Sequence, residues 1–124
     1  MPAKILVIDD DTLIRRMLCG QLEKLGYTVI EAATGQTGLV AFGKEKPALV
    51  ITDVMMPDKN GLQAITEIRK MAPATKIIAM SSSNGTGQSE GDLLDLASDL
   101  GAAITLLKPF SATDIEAALK KLGV

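Results

Sequence analysis

Short apolar runs alternate five times with longer periodic segments along these 124 residues, and that alternation leaves few architectures open. The runs are Ile5–Ile8, Val29–Ile30, Leu49–Ile51, Ile77–Met80 and Ile104–Leu107. Several are continuous rather than alternating, the pattern of strands covered on both faces. The first helical pattern carries Ile14, Leu18, Leu22 and Leu25 and stops at Gly26. The second runs from about Gln36 to Glu45, before Pro47, and the third has Leu62, Ile65 and Ile68 and ends near Pro73. The fourth has Leu93, Leu96, Ala97 and Leu100, closed by Gly101. The fifth has Ile115, Leu119 and Leu122 behind Ser111-Ala-Thr-Asp114, a start that resembles a capping box.

Five strands each followed by a helix predict an α/β fold: a doubly wound five-stranded parallel sheet between two helical layers, with right-handed crossovers. At this length the expected strand order is 2-1-3-4-5, with its switch point between strands 1 and 3. Residues 1–124 are the size of one domain, and we expect one. A hydrophobic content of 47% suffices for a real core. A net charge of −2 argues against a protein that works by neutralising nucleic-acid phosphates, so no direct nucleic-acid partner is expected. No apolar run approaches the ~20 residues of a membrane span and no signal-peptide pattern opens the chain, so a cytoplasmic protein without membrane association is expected.

The chain has no histidine. Ser-His-Asp triads, Cys-His dyads, HExxH zinc sites and phosphohistidine carriers are thereby excluded. Acid–base or metal chemistry must use carboxylates, hydroxyls, lysine and backbone. The lone cysteine, Cys19, falls on a helical pattern with nothing to activate it and reads as a small core or boundary residue.

Ligands of such sheets collect at the carboxyl ends of the strands. Strand 1 runs into Asp9-Asp10-Asp11, strand 3 ends at Thr52-Asp53, strand 4 runs into Ser81-Ser82-Ser83, and strand 5 ends in Lys108-Pro109-Phe110. Strands 1 and 3 are neighbours at the switch point, so Asp9 and Asp10 should converge on Asp53. Three carboxylates cannot share a pocket unpaired, and a hard divalent cation with oxygen ligands, Mg²⁺ foremost, would relieve them. Asp11 reads as the N-cap of the first helix. Each piece alone has an ordinary explanation as a cap, a loop or a turn; their falling together on one sheet edge does not. Two glycine patterns are decoys. Gly38 to Glu45 nearly spells a phosphate-binding loop but has Glu45 where Ser or Thr is required and reads as a helix. Gly85 to Gly91 has its third glycine one residue late for a dinucleotide fingerprint.

Taken in order, "ILVIDDD", "VITDVMMPDKNGL", "KIIAMSS" and "LLKPF" resemble the receiver domain of bacterial two-component response regulators, the CheY-like family, over essentially the whole chain. The resemblance implies a flavodoxin-like (βα)5 sandwich and a stand-alone receiver whose output is protein–protein binding or phosphate relay. It implies that Asp53 is the phospho-acceptor. Asp10 would hold Mg²⁺ directly, Asp9 through water, and Asp53 and the backbone carbonyl of Met55 would complete the protein ligands. Ser81 would contact the phosphoryl group and Lys108 would bind it. The implied donor is a histidine kinase, a histidine phosphotransfer protein or a small phosphodonor, and the implied target is an unidentified protein. A monomer is expected, with dimerisation an option on phosphorylation. Self-phosphorylation and dephosphorylation would be its only catalysis.

Thr105 stands where the family commonly has an aromatic switch residue, so output coupling through such a ring is not expected. Met55 and Ser83 occupy positions that tune dephosphorylation in the family. The segment from Ser82 to Gly91 looks longer than in compact members, either a flexible insertion or a partner-recognition loop. Two other classes of α/β protein fit these residues less well. A Mg²⁺-dependent aspartyl-phosphate phosphatase would want an acid two residues after Asp53, where this chain has Met55. A flavodoxin-like cofactor carrier would want rings to stack on a flavin, and only 2% of these residues are aromatic.

Overall fold

The structure, a computed structural model, describes residues 3–54, 61–82, 98–108 and 111–124. Its elements are β1 (Lys4–Ile8), α1 (Thr12–Lys24), β2 (Thr28–Ala32), α2 (Gly35–Glu45), β3 (Leu49–Asp53), α3 (Gly61–Met71), β4 (Lys76–Ser82), β5 (Ile104–Lys108) and α4 (Ala112–Leu122). The five strands form one sheet in the order β2-β1-β3-β4-β5, every pairing parallel. The α/β class, the strand order and the switch point between β1 and β3 are those the sequence predicts. Of the fourth helical pattern only 98–100 are described, and they are helical; Leu93, Leu96 and Ala97 lie outside the described residues.

Side-chain alternation divides the central strands between two cores. Leu6, Ile8, Val50, Ile77 and Ala79 face Phe42 of α2 and Ile65 and Ile68 of α3. Ile5, Val7, Leu49, Ile51, Ile78 and Met80 face Leu18, Cys19 and Leu22 of α1 and Ile115 and Leu119 of α4. Both faces of β1 and β3 are therefore dry, which is why those runs are continuously apolar.

Polar side chains set the helix starts. Asp11 caps α1 by accepting from the Ile14 amide, as the sequence suggests. Thr34 caps α2 reciprocally with Thr37, and Ser111 caps α4 reciprocally with Asp114, so the predicted capping box is present. Three details differ from the sequence reading. The helical face assigned through Leu25 ends a residue sooner, because α1 stops at Lys24 and Leu25, its C-cap, is 42% exposed. β2 extends through Glu31 and Ala32, since it pairs with β1 as far as Ile8. β4 continues through Ser81 and Ser82, held by pairing with Leu107 and Lys108 of β5. In the last case parallel pairing overrides the turn preference of serine.

Candidate functional site

Register delivers the acids to one edge. Ile8 of β1 pairs with Thr52 of β3, so Asp9 and Asp53, each one residue further on, stand level at the carboxyl end. Asp53 in turn pairs with Met80 of β4, and the Val54 amide donates to the Met80 carbonyl at 2.9 Å. Ser81 follows Met80 and pairs with Leu107, while Lys108 closes β5 opposite Ser82. The buried polar side chains among the described residues are Asp9, Thr52, Asp53 and Ser81, and all four belong to this edge.

One carboxylate oxygen from each of Asp9, Asp10 and Asp53 falls within 4.8 Å of the other two. Asp9 is fully buried, Asp53 nearly so, and Asp10 opens to solvent. The Asp9 position is fixed at several atoms. Its amide donates to the Ala32 carbonyl at 3.1 Å, and its carboxylate accepts from the Asp11 amide at 2.9 Å. Its carbonyl accepts from Arg15 Nη1 at 2.7 Å. Arg15 Nε also lies 3.0 Å from the carboxylate of Glu31. Behind Asp53, the Thr52 hydroxyl donates to the Asp53 carbonyl at 3.0 Å.

Ser81 supplies a different observation. Its Oγ is buried and has no hydrogen-bond partner among the described residues. A buried hydroxyl left unpaired costs roughly 1–3 kcal/mol, so such an atom at a ligand-binding edge calls for a ligand oxygen. An all-oxygen set of three clustered carboxylates, one of them open to water, suits a hard cation such as Mg²⁺. The donor set fits.

The structure thus brings the carboxylates of Asp9, Asp10 and Asp53 together, and puts Ser81 and the Lys108 backbone at the carboxyl ends of the neighbouring strands. Met55, Ser83 and the segment after Ser82 lie outside the described residues. Arg15 and Thr52, which brace the main chain of the two central acids, were not anticipated. A basic residue one helical turn after an N-capping acid is the available signal for Arg15. Cys19 is buried, and burial foremost, then the charges of Glu31 and Glu23, pushes its thiol up to about 12, so at neutral pH it is a protonated core group. Thr105 is exposed on β5.

A doubly wound sheet that presents acids from both strands of its switch point defines a class of α/β protein that binds its ligand at that edge. Within that class the chain matches the response regulator receiver domain over residues 5–120, and it belongs to that family. Among curated relatives it is 38% identical over 123 residues to the probable transcriptional regulator ycf27 of Cyanophora paradoxa, covering 96% of this chain and 47% of that protein. It is 36% identical over 123 residues to the transcriptional regulatory protein PdtaR of Mycobacterium tuberculosis, covering 97% of this chain and 56% of that one. The chain therefore spans about half the length of these relatives.

Among solved structures, a response regulator receiver domain protein from Clostridium thermocellum superposes with a TM-score of 0.88 at 33% identity, covering 97% of this chain and 93% of that one. The chemotaxis protein CheY4 of Vibrio cholerae does so with 0.85 at 27% identity, covering 98% and 99%. Receiver domains are signalling modules of two-component systems that bind Mg²⁺ at an acidic pocket and interact with histidine kinases. No described helix is long and apolar enough to cross a membrane.

Proposed function

We propose that this receiver domain accepts a phosphoryl group on Asp53, from a partner phosphohistidine or a small phosphodonor, and that the new charge changes its binding to a downstream protein. The observation that supports the reading is the cluster of three carboxylates within 4.8 Å, on a sheet edge where the next strand carries a buried Ser81 hydroxyl that has no hydrogen-bond partner among the described residues. Asp9, Asp10 and Asp53, with the Met55 carbonyl, would hold Mg²⁺; the ion would neutralise the acids and the charge on phosphoryl oxygens.

The remaining chemistry belongs to the chain. A carboxylate oxygen of Asp53 attacks phosphorus in line, the bond from phosphorus to the donor nitrogen or oxygen breaks, and its electron pair leaves with the donor. Asp53, fixed on β3 by the Thr52 hydroxyl and the pairing with Met80, is pre-positioned for that attack. Ser81 then donates to a phosphoryl oxygen and satisfies its own hydroxyl, and Lys108 meets the added charge. The product is an acyl phosphate, a labile mark. Its formation pulls Ser81 of β4 and Lys108 of β5 toward one group, which biases the two-state equilibrium of that face.

The test is incubation with acetyl phosphate or phosphoramidate, read by intact mass. The expected result is one phosphoryl group per chain with millimolar Mg²⁺, none after chelation and none in Asp53→Asn. Equal labelling of the variant, or no labelling with Mg²⁺ present, contradicts the reading. Turnover of a generic phosphomonoester would favour a phosphatase instead.

A further inference from the structure

The acidic turn after β1 is tied to its neighbours by Arg15, a side chain only 14% exposed. The guanidinium forks: Nη1 donates to the Asp9 carbonyl at 2.7 Å, while Nε meets the Glu31 carboxylate at 3.0 Å. Glu31 sits on β2, paired in register with Val7, and Arg16 Nε approaches the same Glu31 oxygen at 3.9 Å. Asp9 is thus held at its amide by Ala32 and at its carbonyl by Arg15, with its carboxylate tied to the Asp11 amide. A planar guanidinium reaches a carbonyl and a carboxylate at once from fixed directions; an ammonium is a point donor on a flexible stem.

We propose that Arg15, braced by Glu31, is a positioning residue for the cation site: it sets the main chain at Asp9 and so the direction in which Asp9 and Asp10 present their carboxylates. The inference rests on the reading of the acidic cluster as a Mg²⁺ site. It goes further by assigning that site's alignment to a cation–carbonyl–carboxylate bridge rooted in β2. Groups that orient metal ligands without touching the metal commonly change affinity by about 10–100-fold when removed.

The sign of the effect separates positioning from simple charge. Arg15 is a cation beside a cation site, so if it acted only through its field, its removal would tighten Mg²⁺ binding. Positioning predicts the reverse. The experiment is calorimetric titration of the full chain with MgCl₂, for the unsubstituted protein, Arg15→Met, Arg15→Lys and Glu31→Gln, with thermal unfolding in Mg²⁺-free buffer recorded beside it. Arg15→Met should weaken Mg²⁺ about tenfold. Arg15→Lys keeps the charge but not the fork, and should recover only part of that loss. Glu31→Gln leaves an acceptor for Nε and should weaken binding least.

Unchanged or tighter binding in Arg15→Met and Arg15→Lys overturns the role, whatever happens to their melting temperatures. If Arg15→Met does not fold, Arg15→Lys and Glu31→Gln decide by the same criterion. No Mg²⁺ binding by the unsubstituted chain overturns the site reading and the Arg15 role together, whereas normal binding that is indifferent to Arg15 overturns only the latter.

Discussion

The two ends of the sheet solve the same problem differently. At the amino edge, polar side chains close on main-chain carbonyls. Lys76 donates to Leu122, the Tyr27 hydroxyl donates to Val124 at 2.7 Å, and Arg69 donates to Pro73 and to Gly101, the latter at 2.8 Å. Arg69 Nε, buried without a hydrogen-bond partner among the described residues, is the exception there. At the carboxyl edge three carboxylates crowd within 4.8 Å and the Ser81 hydroxyl has no partner among the described residues. One edge is closed largely by its own hydrogen bonds; the other, on the function proposed above, is completed by what it binds. On that proposal stability and function are spatially separated along the same strands, and substitutions at the two edges should separate them experimentally.

The largest effect is expected at the finished edge. Gly101 has φ +127°, and a Cβ there would lie 2.7 Å from Arg69 Nε and 3.2 Å from its Cγ. Gly101→Ala should cost roughly 3 kcal/mol, from backbone strain and displacement of the Arg69 clamp. Urea unfolding would measure it, and Mg²⁺-dependent phosphoryl uptake per folded molecule should be unchanged. A loss of uptake in the folded variant would break the separation of the two edges.

A smaller effect of opposite sign is expected at the open edge. Ser81→Ala removes a buried hydroxyl that lacks a partner among the described residues, so the Mg²⁺-free protein should gain about 1 kcal/mol. Phosphoryl uptake should slow in the same variant. A protein that loses stability on this substitution would show that Ser81 is already satisfied, and the contrast between the edges would weaken.

The same contrast explains what was legible in the sequence. The acids at the ends of β1 and β3 could be placed because continuous apolar runs mark buried parallel strands and such sheets bind ligands at their carboxyl ends. No three-dimensional detail was needed to bring Asp9 and Asp53 together. Arg15 was not legible, because its partner Glu31 becomes its neighbour only when β2 runs on to Ala32. Ser81 is legible as a residue but reads as following its strand, since serine signals a turn until pairing with Leu107 overrules it. Spacing alone puts Leu25 on the helical face, and spacing does not register that the helix has ended. The amino-edge clamps were invisible for a related reason: their acceptors are carbonyls, which every residue carries and no sequence distinguishes.

The claim that the carboxyl edge is the unfinished one is tested most directly by following backbone amide resonances while the uniformly ¹⁵N-labelled chain is titrated with MgCl₂. The largest shifts should fall on Asp10, Asp11 and Val54, with Ser81 and Ser82 next, while Lys76, Gly101 and Gly123 at the other edge stay still. Saturation without shifts at Asp10 and Val54, or shifts centred on the amino edge, would contradict it.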